Sequence, residues 1–177
     1  MITLCALRPF SPREELWYFS MNINLIVIGK LKEEYLRSAC AEYIKRLGRY
    51  CTFELHELDE CRLSDKPSEK EITAALKKEA TSIKKYAKGL IIPMCIEGKQ
   101  LSSPELSEKI TSAGVNGTGT VTFIIGSSFG LDDEIKQLGG LRLSMSKMTF
   151  PHQLARVMLL EQIYRAFQIA EGGKYHK

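Results

Sequence analysis

At 177 residues, with 44% hydrophobic and 26% charged side chains, the chain is long enough for one domain with a core of its own and too short for two full ones. This balance excludes a disordered or low-complexity chain, and no apolar run approaches the roughly 20 residues of a membrane-spanning helix. A net charge of +4 is compatible with a polyanionic partner but decides nothing alone.

Five cysteines, Cys5, Cys40, Cys51, Cys61 and Cys95, are scattered, odd in number and form no CxxC pair. They fit buried thiols in a reducing cytoplasm rather than a disulfide framework, and no Cys/His cluster has the spacing of metal ligands. The first twenty residues lack a basic start followed by an apolar run of signal-peptide length, and Met21 stands directly before a clean strand. The expected organisation is therefore one domain over 21–177, preceded by an extension over 1–20 that is disordered or a start-site artefact.

In chain order, Ile23 to Gly29 predicts a buried strand, being short, branched and closed by glycine. Tyr35, Leu36, Ala39, Tyr43 and Leu47 predict a helix from Lys32 to Leu47, stopped by Gly48. Thr52 to Leu58 alternates like a half-buried strand whose polar positions suggest a sheet edge. Ser68 and Glu71 have capping-box spacing, predicting a helix to about Lys88. Leu90 to Gly98 reads as a strand, with Pro93 marking a bulge or a free edge.

Ser103 and Pro104 then read as N-cap and first turn of a helix ending before Gly114. A strand over Thr120–Gly126, a short helix over Leu131–Leu138, a strand over Leu141–Ser146 and a long helix beyond Pro151 complete the pattern. Alternation of strand and helix predicts an α/β fold with a mostly parallel sheet flanked by helices.

In such folds ligands bind outside the carboxyl ends of the strands, where this chain has "EGKQLSS", "GSSFGLDD" and "SKMTFPH". Gly126 to Gly130 lacks the G-x-G-x-x-G spacing and no P-loop is present, so a phosphate-cradling site is the weaker reading. A ligand held by backbone groups and apolar side chains such as Met94, Met145, Met148 and Phe150, against an adenine ring, needs no such signature. Methionines at strand ends serve equally well as core.

On the last helix, at about 100° per residue, Leu160, Ile163 and Phe167 form one apolar stripe, and Arg156 and His152 continue it towards the N-terminus. Spacing alone leaves two readings open, a snorkelling arginine with a capping histidine, or functional groups that reach a cleft at the helix start. Glu161 and Arg165 are an i, i+4 ion pair in the favourable order, flanking the stripe. Tyr175 and His176 lie almost at the terminus, after two glycines, where a frayed tail is the ordinary expectation.

Together "VIGKLKEEY", "EYIKRLGRY", "IEGKQLSS", "FIIGSSFGL", "LSMSKMTFPHQLARVMLLEQIYRAFQI" and the terminal "YHK" resemble the ribosomal RNA large subunit methyltransferase H family, over Met21 to Lys177. These are SPOUT-class enzymes that methylate N3 of a pseudouridine in 23S rRNA, and the small basic surface of this chain adds the expectation that the dimer and the assembled 70S ribosome supply most of the recognition. The resemblance implies a C-terminal trefoil knot, against the general rarity of knots, and S-adenosyl-L-methionine as cofactor in the knotted loops. It implies a homodimer in which one subunit's tail completes the other's site; the expectation of no metal and no membrane comes from the residues themselves.

Residue by residue it implies cofactor binding by Met94, Gly126, Met145, Ser146, Lys147, Met148, Thr149 and Phe150. It implies catalysis by Glu161, Arg165, Tyr175 and His176, and leaves His152 a structural or loop-fixing residue. One departure stands out: the family loop after the fourth strand usually has two adjacent glycines, and here the second is Ser127. A non-enzymatic ribosome-binding module, or an enzyme acting on another RNA such as tRNA, is compatible with the same residues.

Overall fold

The computed structural model describes residues 21–172. The expected extension over 1–20 and the terminal Tyr175 and His176 lie outside them. The described elements are β1 (Asn22–Ile28), α1 (Glu34–Leu47), β2 (Thr52–Leu58), α2 (Glu69–Lys84), β3 (Leu90–Gln100), α3 (Ser103–Val115), β4 (Thr120–Ile125), α4 (Asp133–Leu138), β5 (Leu143–Ser144) and α5 (His152–Ala170). The strands form one sheet in the order β2-β1-β4-β3-β5, with every pair parallel.

The period-2 pattern of the strands divides the apolar residues between two layers. Ile23, Leu25 and Val27 of β1 and Val121 and Phe123 of β4 face the larger core, built with α1, α3 and α5. Ile26 and Ile28 of β1 and Ile124 of β4 face the smaller one, with Ala80 and Ile83 of α2 and Ile135 of α4. Because β1 and β4 are covered on both faces they read as continuous apolar runs, as parallel strands do. β2, polar at alternate positions, is an edge as its sequence predicts.

Several boundaries differ from the sequence reading, each for a local reason. α1 begins at Glu34 rather than Lys32: the Lys32 N–H donates to Gln153 Oε1, and Arg37 Nη1 donates to the carbonyls of Leu31 and Lys32, which holds these residues outside the helix. The Ser68–Glu71 capping box forms, but α2 stops at Lys84, short of Lys88.

α3 is capped by Ser102, not Ser103, because Ser102 pairs reciprocally with Glu105 at N3 while Ser103 Oγ donates to Gln162 Oε1 on α5. That helix also runs through Gly114 to Val115. α4 begins at Asp133, behind the Asp132 cap, rather than at Leu131.

β3 pairs with β4 from Leu90 to Pro93, then shifts register between Met94 and Lys99 and pairs with β5. Pro93, which has no N–H to donate, thus closes one ladder just before the bulge. β5 keeps only Leu143 and Ser144 of the expected Leu141–Ser146. Beyond it, Ser144 Oγ donates to the Ser146 carbonyl at 2.8 Å and Ser146 Oγ accepts from the Met148 N–H at 3.0 Å. These local bonds turn the chain away from the ladder.

Candidate active site

A cleft of about 740 Å³ opens where β4 and β5 end and β3 bulges. The end of β3 supplies Met94 to Glu97, the loop after β4 supplies Gly126 to Gly130, and the loop after β5 leads through Met148, Thr149 and Phe150 to His152 and Ala155 of α5. Its volume suits a nucleoside-sized ligand, within the range of about 300–1,000 Å³ usual for small-molecule sites.

The β4 loop has little freedom. A Cβ on Gly126 would lie 2.1 Å from the Gly130 carbonyl oxygen and 2.9 Å from Leu131 Cγ. The Gly130 N–H donates back to the Ser127 carbonyl at 2.9 Å, and Gly130 itself has φ +89°. Glycine at 126 therefore lets the loop close on itself. Ser127, the side chain that departs from the family pattern, is buried and lies near the buried Glu79 of α2, inside the fold.

Of the residues carried over for the cofactor, Met94, Gly126, Met145, Ser146, Met148, Thr149 and Phe150 line this cleft; Lys147 is exposed and does not. The sequence reading did not assign Lys136, Glu97, Phe129 or Ile96, which line it too. Lys136 Nζ meets Glu97 Oε1 at 3.0 Å and Asp133 Oδ1 at 3.5 Å. The bond to Glu97 raises the Lys136 ammonium. The Glu97 carboxyl is held below its usual range, first by its own backbone N–H and then by Lys136. Only the Asp133–Lys136 spacing was visible in the sequence, as an ordinary i, i+3 pair.

Glu161 and Arg165 lie elsewhere. Arg165 Nε donates to Glu161 Oε1 at 3.0 Å, with the two side chains 26% and 18% exposed, so the pair is half-buried rather than a surface one. Glu161 Oε2 also accepts from Gln162 Nε2 at 2.6 Å. Glu161 and Gln162 line a second cavity of about 370 Å³, which shares the wall of Met94, Leu143, Ser144 and Met145 with the cleft.

Arg156 does not snorkel. It is 1% exposed and donates from Nη1 to Glu57 Oε1 at 2.6 Å and from Nη2 to the Gly29 carbonyl at 2.8 Å. Nor does His152 cap α5: Pro151 holds that position and no side chain caps the helix. His152 sits instead at the cleft wall.

A family model described as "Predicted SPOUT methyltransferase" matches residues 21–176. Ribosomal RNA large subunit methyltransferase H of Streptococcus suis is 48% identical over 159 residues, covering 89% of this chain and the whole of that protein. The chain belongs to this methyltransferase family. The protein of the same name from Bifidobacterium adolescentis is 49% identical over 162 residues, again with 89% and 100% coverage.

Among solved structures, the SpoU methyltransferase AviRb of Streptomyces viridochromogenes, crystallised with the cofactor AdoMet, aligns at a TM-score of 0.42 and 10% identity, covering 89% of this chain and 60% of that one. Among the described residues of this SPOUT methyltransferase, no group of three or more His, Cys, Asp or Glu is placed to hold a metal ion. No described helix is long and apolar enough to cross a membrane.

Proposed function

We propose that this methyltransferase transfers a methyl group from S-adenosylmethionine to N3 of a pseudouridine in 23S rRNA, acting in the cytoplasm on the assembled 70S ribosome. The observation that carries the reading is that seven of the residues expected at the cofactor come from three separate chain segments and meet in one cleft at the strand ends. The cleft fits the cofactor in kind as well as size. Met94, Met145 and Phe150 offer apolar contact for an adenine ring, and the crowded turn at Gly126 brings backbone close to the ligand. No cation cluster is needed, since S-adenosylmethionine carries no phosphate.

The cofactor supplies a methyl group on a sulfonium, already a good leaving group. The protein's share is alignment, and management of the proton that pseudouridine N3 loses between two carbonyls. Arg165, oriented by Glu161, is the cation for the charge that develops on those carbonyls. Tyr175 stacks on or hydrogen-bonds the base, and His176 is the acid/base or orienting group, the role for which imidazole is the usual side chain.

The reading includes a homodimer in which the tail of one subunit reaches the site of the other, with residues 21–177 as the methyltransferase domain. It includes a trefoil knot, supported by the short β5 beyond β3 and by the return of α5 to the face holding α1 and α3. His152 positions the loop. With a net charge of only +4, the dimer and the ribosome supply most of the RNA recognition.

The test is to map the methylated nucleoside by mass spectrometry in a strain lacking this gene, with and without complementation. Loss and return of N3-methylpseudouridine in 23S rRNA is expected; a change confined to tRNA, or none, overturns the assignment. In the same assay His176→Ala is expected to lower methyl transfer by about 100-fold, the usual scale for one acid/base group. Wild-type rates from it and from a chain lacking 174–177 would remove the tail from the mechanism.

A further inference from the structure

The cleft has one charged corner. Of the described residues that line it, Glu97 is the sole carboxylate and Lys136 the sole ammonium, and the two meet at 3.0 Å. Glu97 reaches the cleft from β3, three residues beyond Met94, within the segment where that strand shifts register on its way to β5. Lys136 comes from the last turn of α4. Both charges stay in touch with water, the Lys136 side chain being 24% exposed and that of Glu97 53%. Apart from Cys95 and His152, the rest of the wall is apolar or carries only hydroxyls.

An ion pair this open to solvent adds little to stability, because water screens it. Nor does Lys136 depend on Glu97 for a counter-charge: Asp133 Oδ1 stands 3.5 Å away on the same helix, outside the cleft. What the pair does offer is one charge of each sign, side by side, on the wall of a nucleoside-sized cleft. The methionine end of S-adenosylmethionine is a zwitterion with one ammonium and one carboxylate, while its adenine is uncharged and suits Met94, Met145 and Phe150. An ammonium has three donors and a carboxylate two acceptor oxygens, so each member can keep the other and still bond a ligand.

We propose that Glu97 and Lys136 bind the methionine end of the cofactor, Glu97 accepting from its α-ammonium and Lys136 donating to its α-carboxylate, with their own ion pair holding the two side by side. The inference rests on the function proposed above and adds to it the residues that tell S-adenosylmethionine from a bare adenosine thioether. Charge-assisted bonds at both groups also fix the direction in which the ligand lies along β3.

The test is calorimetry on the full-length protein with three ligands, well below the thermal midpoint of each variant. They are S-adenosylmethionine, S-adenosylhomocysteine, which keeps the amino-acid end without the sulfonium charge, and methylthioadenosine, which lacks that end. Glu97→Gln and Lys136→Met are each expected to weaken binding of the first two about tenfold, and of methylthioadenosine by no more than about twofold. Lys136→Arg, which keeps a cation there, is expected to stay within about threefold of wild type for all three. Asp133→Asn, which removes the partner outside the cleft, is expected to change no affinity by more than about twofold.

Equal losses for methylthioadenosine, the result expected of a simple strut between α4 and β3, overturn the inference, as does unchanged S-adenosylmethionine affinity in both variants. Losses confined to S-adenosylmethionine overturn it too, because they make the sulfonium the group that is sensed. A wild type that binds none of the three ligands overturns the proposed function together with the inference, whereas binding by wild type with any of the other adverse results overturns the inference alone.

Discussion

Arg156 is the largest fully buried side chain in the described fold. Nη1 and Nη2 have partners, while Nε is buried with no hydrogen-bond partner among the described residues. Its companion Glu57 is 35% exposed, so the two ends of the pair answer differently to substitution. Glu57→Gln leaves a buried cation without its counter-charge and is expected to destabilise the protein by roughly 3 kcal/mol in urea titrations. Arg156→Met, which fills the same space and leaves a carboxylate that water can reach, is expected to cost less; the reverse order would show that packing dominates this site.

Helical periodicity had already put Arg156 on the apolar stripe and so posed the question of its partner. Nothing in local spacing answers it, because the partner comes from β2, 99 positions earlier. His152 fell on the same stripe, yet one turn at the helix start suffices to swing it out to the cleft wall. Residue-scale inference from sequence reaches the face on which a side chain lies and stops before what stands opposite it.

At the scale of elements, the loop between β4 and α4 is the most constrained piece of the site. Gly126→Ala would press a methyl group to 2.1 Å from a carbonyl oxygen that belongs to the same turn. The turn must therefore open, and the expected outcome is a loss of S-adenosylmethionine affinity of at least about tenfold, well beyond the stability change, read by calorimetry and thermal midpoint side by side. A variant that binds normally would show that the turn opens at no expense to the cleft.

Elements were legible where a pattern repeats over several residues, as in β1, β4 and the stripe of α5. They were less so where one hydrogen bond decides. Ser102 rather than Ser103 caps α3 because the neighbour is drawn to Gln162. β5 shrank to two residues because Ser144 and Ser146 bond to the backbone just beyond it. Of the candidate site, the three loops at the strand ends were readable as a set, whereas Lys136 and Glu97 meet only through the register shift in β3, which no periodicity announces.

For the molecule as a whole, stability depends on acidity through groups whose protonation differs between folded and unfolded chains. Burial pushes the Glu79 carboxyl up from its ordinary 4.5, a tendency that nearby Glu60 reinforces and that the bond from Cys61 and the nearness of the Ser127 hydroxyl only partly offset. A folded state that holds this proton more tightly loses its advantage as pH rises from 4.5 through the raised value. Glu79→Gln has no such slope, so its thermal midpoint relative to wild type is expected to rise between pH 4.5 and about 7. A falling or flat difference would mean that the hydrogen bonds outweigh the desolvation.

The sheet also has two ends. One is β2, which carries Glu54 and His56 on one face and Glu57, turned to Arg156, on the other; the second is β5, two residues long. Charged side chains along one edge and a two-residue strand at the other disfavour the addition of a stray strand, which works against sideways growth into fibrils. The cleft and the Glu161 cavity open away from β2, on surfaces built from strand ends, loops and α5.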